Sequence, residues 1–586
     1  MNGVADTATQ VPHPVVVPQP PQQPSDGADD LKRDVSRWGM LWASEGSVIG
    51  TGWLFAVLLT LTIAGPATLI GWVIGSAIVI VIGLVYAELG GMFPVSGGGG
   101  LFPQYAFGGL AGASFGWFGY VQAAARAPIE VVAALEYLST SKWAAFMWNT
   151  NKSTLSGDGY GIAIGLLLVF VLLNMIGIRW VARANNSLTM IKLAVPLLAF
   201  IVLVSTHFHA GNFTAGGGFF PKGVSIPKAI MLSLPVGGII FAFTGFEQAT
   251  QIGGESRNPK RDIPFAVIGS VVVAAILYIM VQFAFIGSLN PAMILHYHTW
   301  ANLAKNAGLE ASPFYTLTVV AGLGWLAWIL KADSAVSPGA CGLLNLTTAA
   351  RLSYGMSRDG YLPTTFAKTS KRERIPWFSV LIAFVLGILF LLPFPSFAKL
   401  VGIVTSATVL MYIGAPLALG ALRKNGAHLH RSYRLPGGSV LAPLAFVFST
   451  LIVYWSGWQT YSTLVVAIVI GYLLMGLSRV FRANLKVPKL DWGAAKWLFP
   501  YLIGLGFISY FGGFGQGGII GGVSIFKNVL VGGNGDLPLY WDLLVVAVFS
   551  LVVYYVALAS RLPRERVDEY AKDIYSPPTL LEPVPG

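Results

Sequence analysis

The residues that could do chemistry in this chain are charged side chains stranded among apolar neighbours. Lys192 sits in Met190-Ile191-Lys192-Leu193, and Glu247 ends Phe241-Ala242-Phe243-Thr244-Gly245-Phe246-Glu247. Arg126 and Glu130 flank Ala127-Pro128-Ile129, and Lys331 and Asp333 stand two residues apart in another apolar run. An ionisable group at bilayer depth is costly unless paired or hydrated, so each is a functional candidate. A buried lysine suits the loading and release of a proton. The competing reading of Lys192 is an ammonium that snorkels to a membrane face. Arg126 and Glu130 share one helix face, so they either neutralise each other or leave the guanidinium to bind a substrate carboxylate. Pro128 between them disturbs that helix. Glu247 reads either as a brace for freed backbone N–H groups or as a protonatable gate. Lys331 and Asp333 face different ways on a helix. Asp333 lies about 27 Å along that helix from Arg351, at 1.5 Å per residue, which suits a solvated end or a gate.

Other chemistries lack their residues. The chain has no Gly-Lys dipeptide, hence no phosphate-binding P-loop, and no His-Glu pair, hence no HExxH zinc site. Its one cysteine, Cys341, excludes an internal disulfide, a CxxC pair and a multi-cysteine metal site. Gly513-Phe514-Gly515-Gln516-Gly517-Gly518 matches GxGxxG by letters but follows an apolar span with no strand before it, so it is a chance match. No cofactor or metal is expected.

The elements that must position these residues follow from composition. Of 586 residues 55% are hydrophobic and 11% charged, against roughly 25% charged in ordinary globular chains. So few charges cannot coat a soluble enzyme of this length. Long apolar runs between the glycines and prolines exclude a disordered chain. An all-α integral membrane protein remains. Its net charge of +12 falls in short loops between apolar segments, which points to membrane topology and not to a nucleic acid partner.

Segments long enough to cross about 30 Å of hydrocarbon fall at 38–62, 66–92, 112–139, 160–180, 187–206, 229–253 and 263–288. They continue at 314–350, 377–394, 398–420, 440–457, 459–480, 496–513 and 541–560, fourteen in all. The eighth is too long for one straight crossing, and Pro338-Gly339 is expected to bend it. With the N-terminus inside, 27 of the 37 lysines and arginines lie on inside segments and seven on outside ones. That asymmetry predicts an even number of spans with both ends cytoplasmic. Residues 1–34 read as a disordered Pro/Gln-rich tail, and 562–586 as a C-terminal tail.

Two spans carry breaks. The first holds Gly46-Ser47-Val48-Ile49-Gly50-Thr51-Gly52, and the sixth holds the Phe241–Glu247 run. In lipid such a break is tolerated where it lines a cavity or ligand. Its bland alternative is close helix packing over small residues. Breaks in the first and sixth spans match two five-span repeats of inverted topology. Half-helix N-termini would face a carboxylate and half-helix C-termini an ammonium, which suits a zwitterionic amino acid. The expected substrate contacts are Ser47, Ile49, Gly50, Thr51, Gly52, Phe241, Ala242, Thr244, Gly245 and Phe246, with Arg126 for a side-chain carboxylate. Lys192, Glu247 and Glu130 are expected in proton coupling, and Lys331 and Asp333 at a gate.

At these residues the chain resembles the amino acid–polyamine–organocation (APC) superfamily of permeases. Besides the two broken spans, the resemblance rests on Glu255-Ser256-Arg257-Asn258-Pro259-Lys260-Arg261-Asp262-Ile263-Pro264 and on the run from Arg351 to Pro363. Within the family it is similar to bacterial aspartate–proton symporters, through Tyr86-Ala87-Glu88-Leu89, Pro94-Val95-Ser96-Gly97-Gly98 and Ala127-Pro128-Ile129-Glu130. The resemblance implies a ten-helix inverted-repeat transport core over 35–425, as in the bacterial leucine transporter, and four additional helices over 426–561. It also implies that the Lys192 ammonium replaces the sodium ion of sodium-coupled relatives. The expected activity is proton-coupled amino acid uptake across the cell membrane, with an acidic substrate favoured by Arg126. An exchanger of amino acids or polyamines without net proton coupling is the alternative within transport. A membrane sensor would carry a soluble output domain, and a membrane enzyme a nucleophile–base set; the sequence displays neither.

Overall fold

The computed structural model describes residues 35–95, 97–176, 178–370, 375–392, 397–484, 486–514 and 535–575. The Pro/Gln-rich tail expected over 1–34, and residues 515–534 with most of the GxGxxG-like run, lie outside the described residues.

The described chain is a stack of helices in which the apolar segments fold as the hydropathy requires. Helix α1 (Arg37–Val48) begins at Ser36, whose hydroxyl accepts from the Gly39 amide at 3.2 Å, and stops where Ile49 turns extended. Helix α2 (Gly52–Ala64) resumes three residues later, and α3 (Thr68–Met92) follows. The next helix, α4 (Gly98–Phe107), is one that the sequence reading left as a connection. Then come α5 (Gly109–Leu138), α6 (Gly157–Ile176) and α7 (Ile178–Thr206). The sixth segment splits into α8 (Ile226–Ser233), α9 (Ile239–Phe243) and α10 (Gln248–Gln251), before the unbroken α11 (Pro259–Ser288).

The eighth segment is not one helix. Its longest helix, α12 (Gly324–Arg358), continues through Pro338-Gly339, and a separate interruption falls earlier, after Pro313–Val320. Gly322 has φ +74° there, a conformation that L side chains resist, whereas a proline removes only one N–H from a helix packed among others. The remaining helices are α13 (Trp377–Leu391), α14 (Phe397–Asn425), α15 (Gly438–Trp455), α16 (Gly457–Val480), α17 (Leu498–Phe511), α18 (Leu539–Ser560) and α19 (Arg564–Tyr575).

Among the described residues, nine helical stretches are long and apolar enough to cross a membrane. The run Gly52–Met92 is one of them and contains both α2 and α3. Helices α5 and α12 are long but are not among the nine, for a physical reason. Every residue of α5 from Gly109 to Tyr137 is buried, so it touches protein and needs no continuous apolar coat. It packs along α12, and α1, α7 and α14 close around the pair, while α3 lies on α11. Helices α15 and α18 pack on α14, and α16 reaches α5 and α17. Helices α16 and α18 keep strongly exposed apolar sides, as lipid-facing elements should.

Candidate functional site

The two breaks meet inside this stack. Where α1 ends, the carbonyls of Gly46, Ser47 and Val48 have lost their helical partners. Each is met by a donor from a different helix. Lys192 Nζ of α7 donates to Gly46 O at 2.5 Å, and Arg126 Nη2 of α5 donates to Ser47 O at 3.1 Å. The Cys341 thiol of α12 donates to Ser47 O at 3.0 Å, and the Tyr278 hydroxyl of α11 donates to Val48 O at 3.0 Å. On the other side of the break, Glu130 Oε2 accepts from the Thr51 amide at the start of α2, at 2.9 Å. Two cations thus sit at a helix C-terminus and a carboxylate at a helix N-terminus, the arrangement that the partial charges of helix ends favour. A Cβ on Gly50 would come within 2.6 Å of Glu130 Oε1 and 2.9 Å of Cys341 Sγ, so any larger residue there would displace those side chains.

The second break holds itself. Thr244 is extended and Gly245 has φ +115°. Glu247 folds back so that Oε2 accepts from the Gly245 amide at 2.9 Å and from the Tyr412 hydroxyl of α14 at 2.7 Å. Thr244 Oγ1 donates to Phe241 O at 2.7 Å. From α1, the Ser44 hydroxyl donates to Phe246 O and accepts from the Ala249 amide, both at 3.1 Å. The two breaks also touch: a Cβ on Gly52 would lie 2.6 Å from Ala242 Cα, and one on Gly245 would lie 2.6 Å from Ser47 C.

Around this contact the structure places the other expected residues unevenly. Ile49 is fully buried. Phe241 lies under Arg126, with Cζ 5.6 Å from its ring centroid, and Phe246 packs against Tyr86 and Tyr412. Lys331 lies elsewhere: its Nζ donates to Ser141 Oγ at 2.5 Å and sits 3.6 Å above the Tyr315 ring. Asp333 is 2% exposed and accepts from Ser337 Oγ at 2.7 Å. Burial of both overturns the reading of a solvated helix end.

Several buried polar atoms beside the breaks have no hydrogen-bond partner among the described residues. They include Arg126 Nε and Nη1, Ser47 Oγ, Thr51 Oγ1 and both carboxylate oxygens of Glu45. Native structures rarely leave buried polar atoms unsatisfied, so this cluster is the candidate place for polar groups or water to bind. Among the described residues no cluster of His, Cys, Asp or Glu could hold a metal ion.

The sequence reading missed Glu45, Cys341, Tyr278, Tyr412 and Ser44 as members of this site. Glu45 had a signal, as an acid inside the first apolar span immediately before the glycine run. The others are unexceptional in apolar helices, and their partners lie far away along the chain.

A family model described as amino acid permease matches residues 35–475. The glutamate/serine transporter AimA of Bacillus subtilis (strain 168) is 34% identical over 555 residues, covering 94% of this chain and 97% of that protein. The aspartate-proton symporter of the same organism is 34% identical over 545 residues, covering 92% and 98%. Its branched-chain amino acid permease BcaP is 27% identical over 492 residues, covering 79% and 96%. With these matches, and with apolar helices wrapped around two broken ones, the chain belongs to the amino acid permease family and is a multi-pass membrane protein.

Proposed function

We propose that this permease takes up an amino acid by proton symport, with an acidic amino acid as its substrate. Fourteen spans would form two inverted five-span repeats within 35–425 and four further spans within 426–561, with both termini in the cytoplasm of a cell whose plasma membrane holds the protein. The observation that carries the proposal is the first break: Lys192 and Arg126 on its carbonyl end, Glu130 on its amide end, and unpartnered polar atoms of Arg126, Ser47 and Thr51 beside them. Relatives named for glutamate, serine and aspartate–proton transport support the same reading.

The residues divide the work as follows. A substrate side-chain carboxylate binds Arg126 through Nε and Nη1, the donors that the guanidinium has to spare. The α-carboxylate goes to the amide end of α2 and so competes with Glu130 for Thr51 N. Protonation of Glu130 weakens its hold on that amide and lets the exchange proceed without a second buried negative charge. Protonated Lys192 ties α7 to the end of α1 through Gly46 O. Loss of its proton removes a charge-assisted bond and frees the broken helix to move. The substrate ammonium is met by carbonyls of the second break, near Phe241 to Thr244.

Uptake of labelled aspartate, glutamate, serine and leucine into proteoliposomes, with and without an inward proton gradient, tests this. Acidic substrates should accumulate only with the gradient. Uptake that ignores the gradient but needs amino acid on the far side would identify an exchanger and reject the proposal.

A further inference from the structure

A cavity of about 380 Å³ lies away from the two breaks, between α16, Asn484 and residues 486–492, the start of α5 and Phe499 of α17. Its wall is apolar, formed by Leu110, Ala113, Met475, Val487, Leu490 and Phe499. The polar groups that reach it are already engaged. The Tyr472 hydroxyl is 2.8 Å from Ser114 Oγ, and the Tyr361 hydroxyl donates to Gln104 Oε1 at 2.9 Å. Asn484 Nδ2 donates to the carbonyls of Ser357 and Leu362, both at 2.7 Å. Two exposed cations also line it: Lys486, and Arg479, whose Nη1 donates to Pro488 O at 3.4 Å.

This is a built site, not a loose loop. The Leu110 amide donates to Leu490 O at 2.9 Å, and the Thr364 amide donates to Ala483 O at 3.0 Å. Carbonyls of the same segment lie against glycines of the core: a Cβ on Gly109 would be 2.3 Å from Lys489 O, and one on Gly360 would be 2.2 Å from Lys486 O. Alongside the cavity, α16 presents Leu473, Leu477, Val480 and Phe481, which are 61%, 51%, 77% and 75% exposed. An apolar side of that extent belongs to the lipid-facing belt, and Arg479 and Arg482 stand where it ends. Nearby Asp491 does not neutralise these cations, because it is taken by Arg566 and by the Tyr570 hydroxyl.

We propose that this cavity binds one anionic phospholipid, with an acyl chain against the apolar wall and the headgroup phosphate on Arg479 and Lys486. The apolar wall has no use for a free phosphate ion, and a zwitterionic lipid would add a cation beside two others. Because the wall is shared by α5, α16 and α17, the lipid would staple the C-terminal helices to the core. This inference does not depend on the substrate proposed above.

The test is native mass spectrometry and thermal unfolding of the full chain in mild detergent. Phosphatidylglycerol, phosphatidylcholine of the same acyl chains, and inorganic phosphate are each added. Phosphatidylglycerol should bind one per chain, about thirtyfold tighter than phosphatidylcholine, as expected for two cations beside an anionic headgroup. Arg479→Ala with Lys486→Ala should remove that preference, while Lys260→Ala with Lys368→Ala, equal charge lost elsewhere, should keep it. Gly476→Phe should weaken both lipids, since a Cβ at Gly476 meets no atom within 4 Å and the ring can enter the cavity. Equal binding of the two lipids to the unaltered protein would overturn the proposal. So would stabilisation by phosphate alone that matches phosphatidylglycerol, or equal damage from the two double variants.

Discussion

The two breaks solve one problem in opposite ways. The first is held from outside: four helices send five side chains to it, two of them cations and one a carboxylate. The second is held largely from within, by Glu247 folding back on Gly245, with Tyr412 and Ser44 as outside help. A break braced by charges from several helices responds to any proton or carboxylate that changes those charges. A break braced by its own side chain keeps its shape while its neighbours move. On the proposed function, coupling chemistry then falls to the first break, and the second serves as the steadier wall. Variants at each can break or sharpen that distinction.

Lys192→Ala carries the largest expected effect. It leaves Gly46 O without its cation and removes the group assigned to the proton, so gradient-driven uptake in proteoliposomes should fall to background. Unchanged uptake with an unchanged pH dependence would reject the role. Arg126→Ala comes next. Equilibrium binding of aspartate should weaken by about 10- to 100-fold, the scale of a lost buried charge-assisted contact, with leucine affected far less. Equal losses for both would make Arg126 a structural brace of Ser47 O only. Glu130→Gln is smaller and more specific. The amide side chain can still accept from Thr51 N but cannot titrate, so transport should persist with a flatter dependence on external pH. A profile as steep as that of the unaltered protein would remove Glu130 from the coupling scheme.

What the sequence made legible follows from locality. The breaks could be read because glycines cluster within seven residues at Gly46–Gly52, and the charged residues because they interrupt apolar runs. Their partners could not, because Tyr278 meets Val48 and Tyr412 meets Glu247 across separations of 230 and 165 residues. Helix α4 was hidden for a related reason. Gly98-Gly99-Gly100 and Pro103 disfavour a helix locally, and those glycines let α4 press on α10, which follows the second break. A Cβ on Gly99 would be 2.9 Å from Gln251 Nε2 and one on Gly98 would be 3.1 Å from Thr250 O. The interruption before α12 was not legible because the local rule looks to proline as the breaker, and Gly322 carries no such flag.

The smallest expected effects are at the second break, and they test the comparison most directly. Tyr412→Phe removes one bond to the Glu247 carboxylate but leaves the bond from the Gly245 amide. A hydrogen bond to a charged group contributes about 1.5–3 kcal/mol, so unfolding stability should drop by no more than that. Glu247→Gln should cost a similar amount, because an amide oxygen can still accept from Gly245 N. If the second break is a steady wall, both variants should lower the transport rate a few-fold at most and leave its pH dependence as it was. A shifted pH profile in Glu247→Gln that Tyr412→Phe does not share would mean that Glu247 itself carries a proton. The division of labour between an externally braced, responsive break and a self-braced, passive one would then fail.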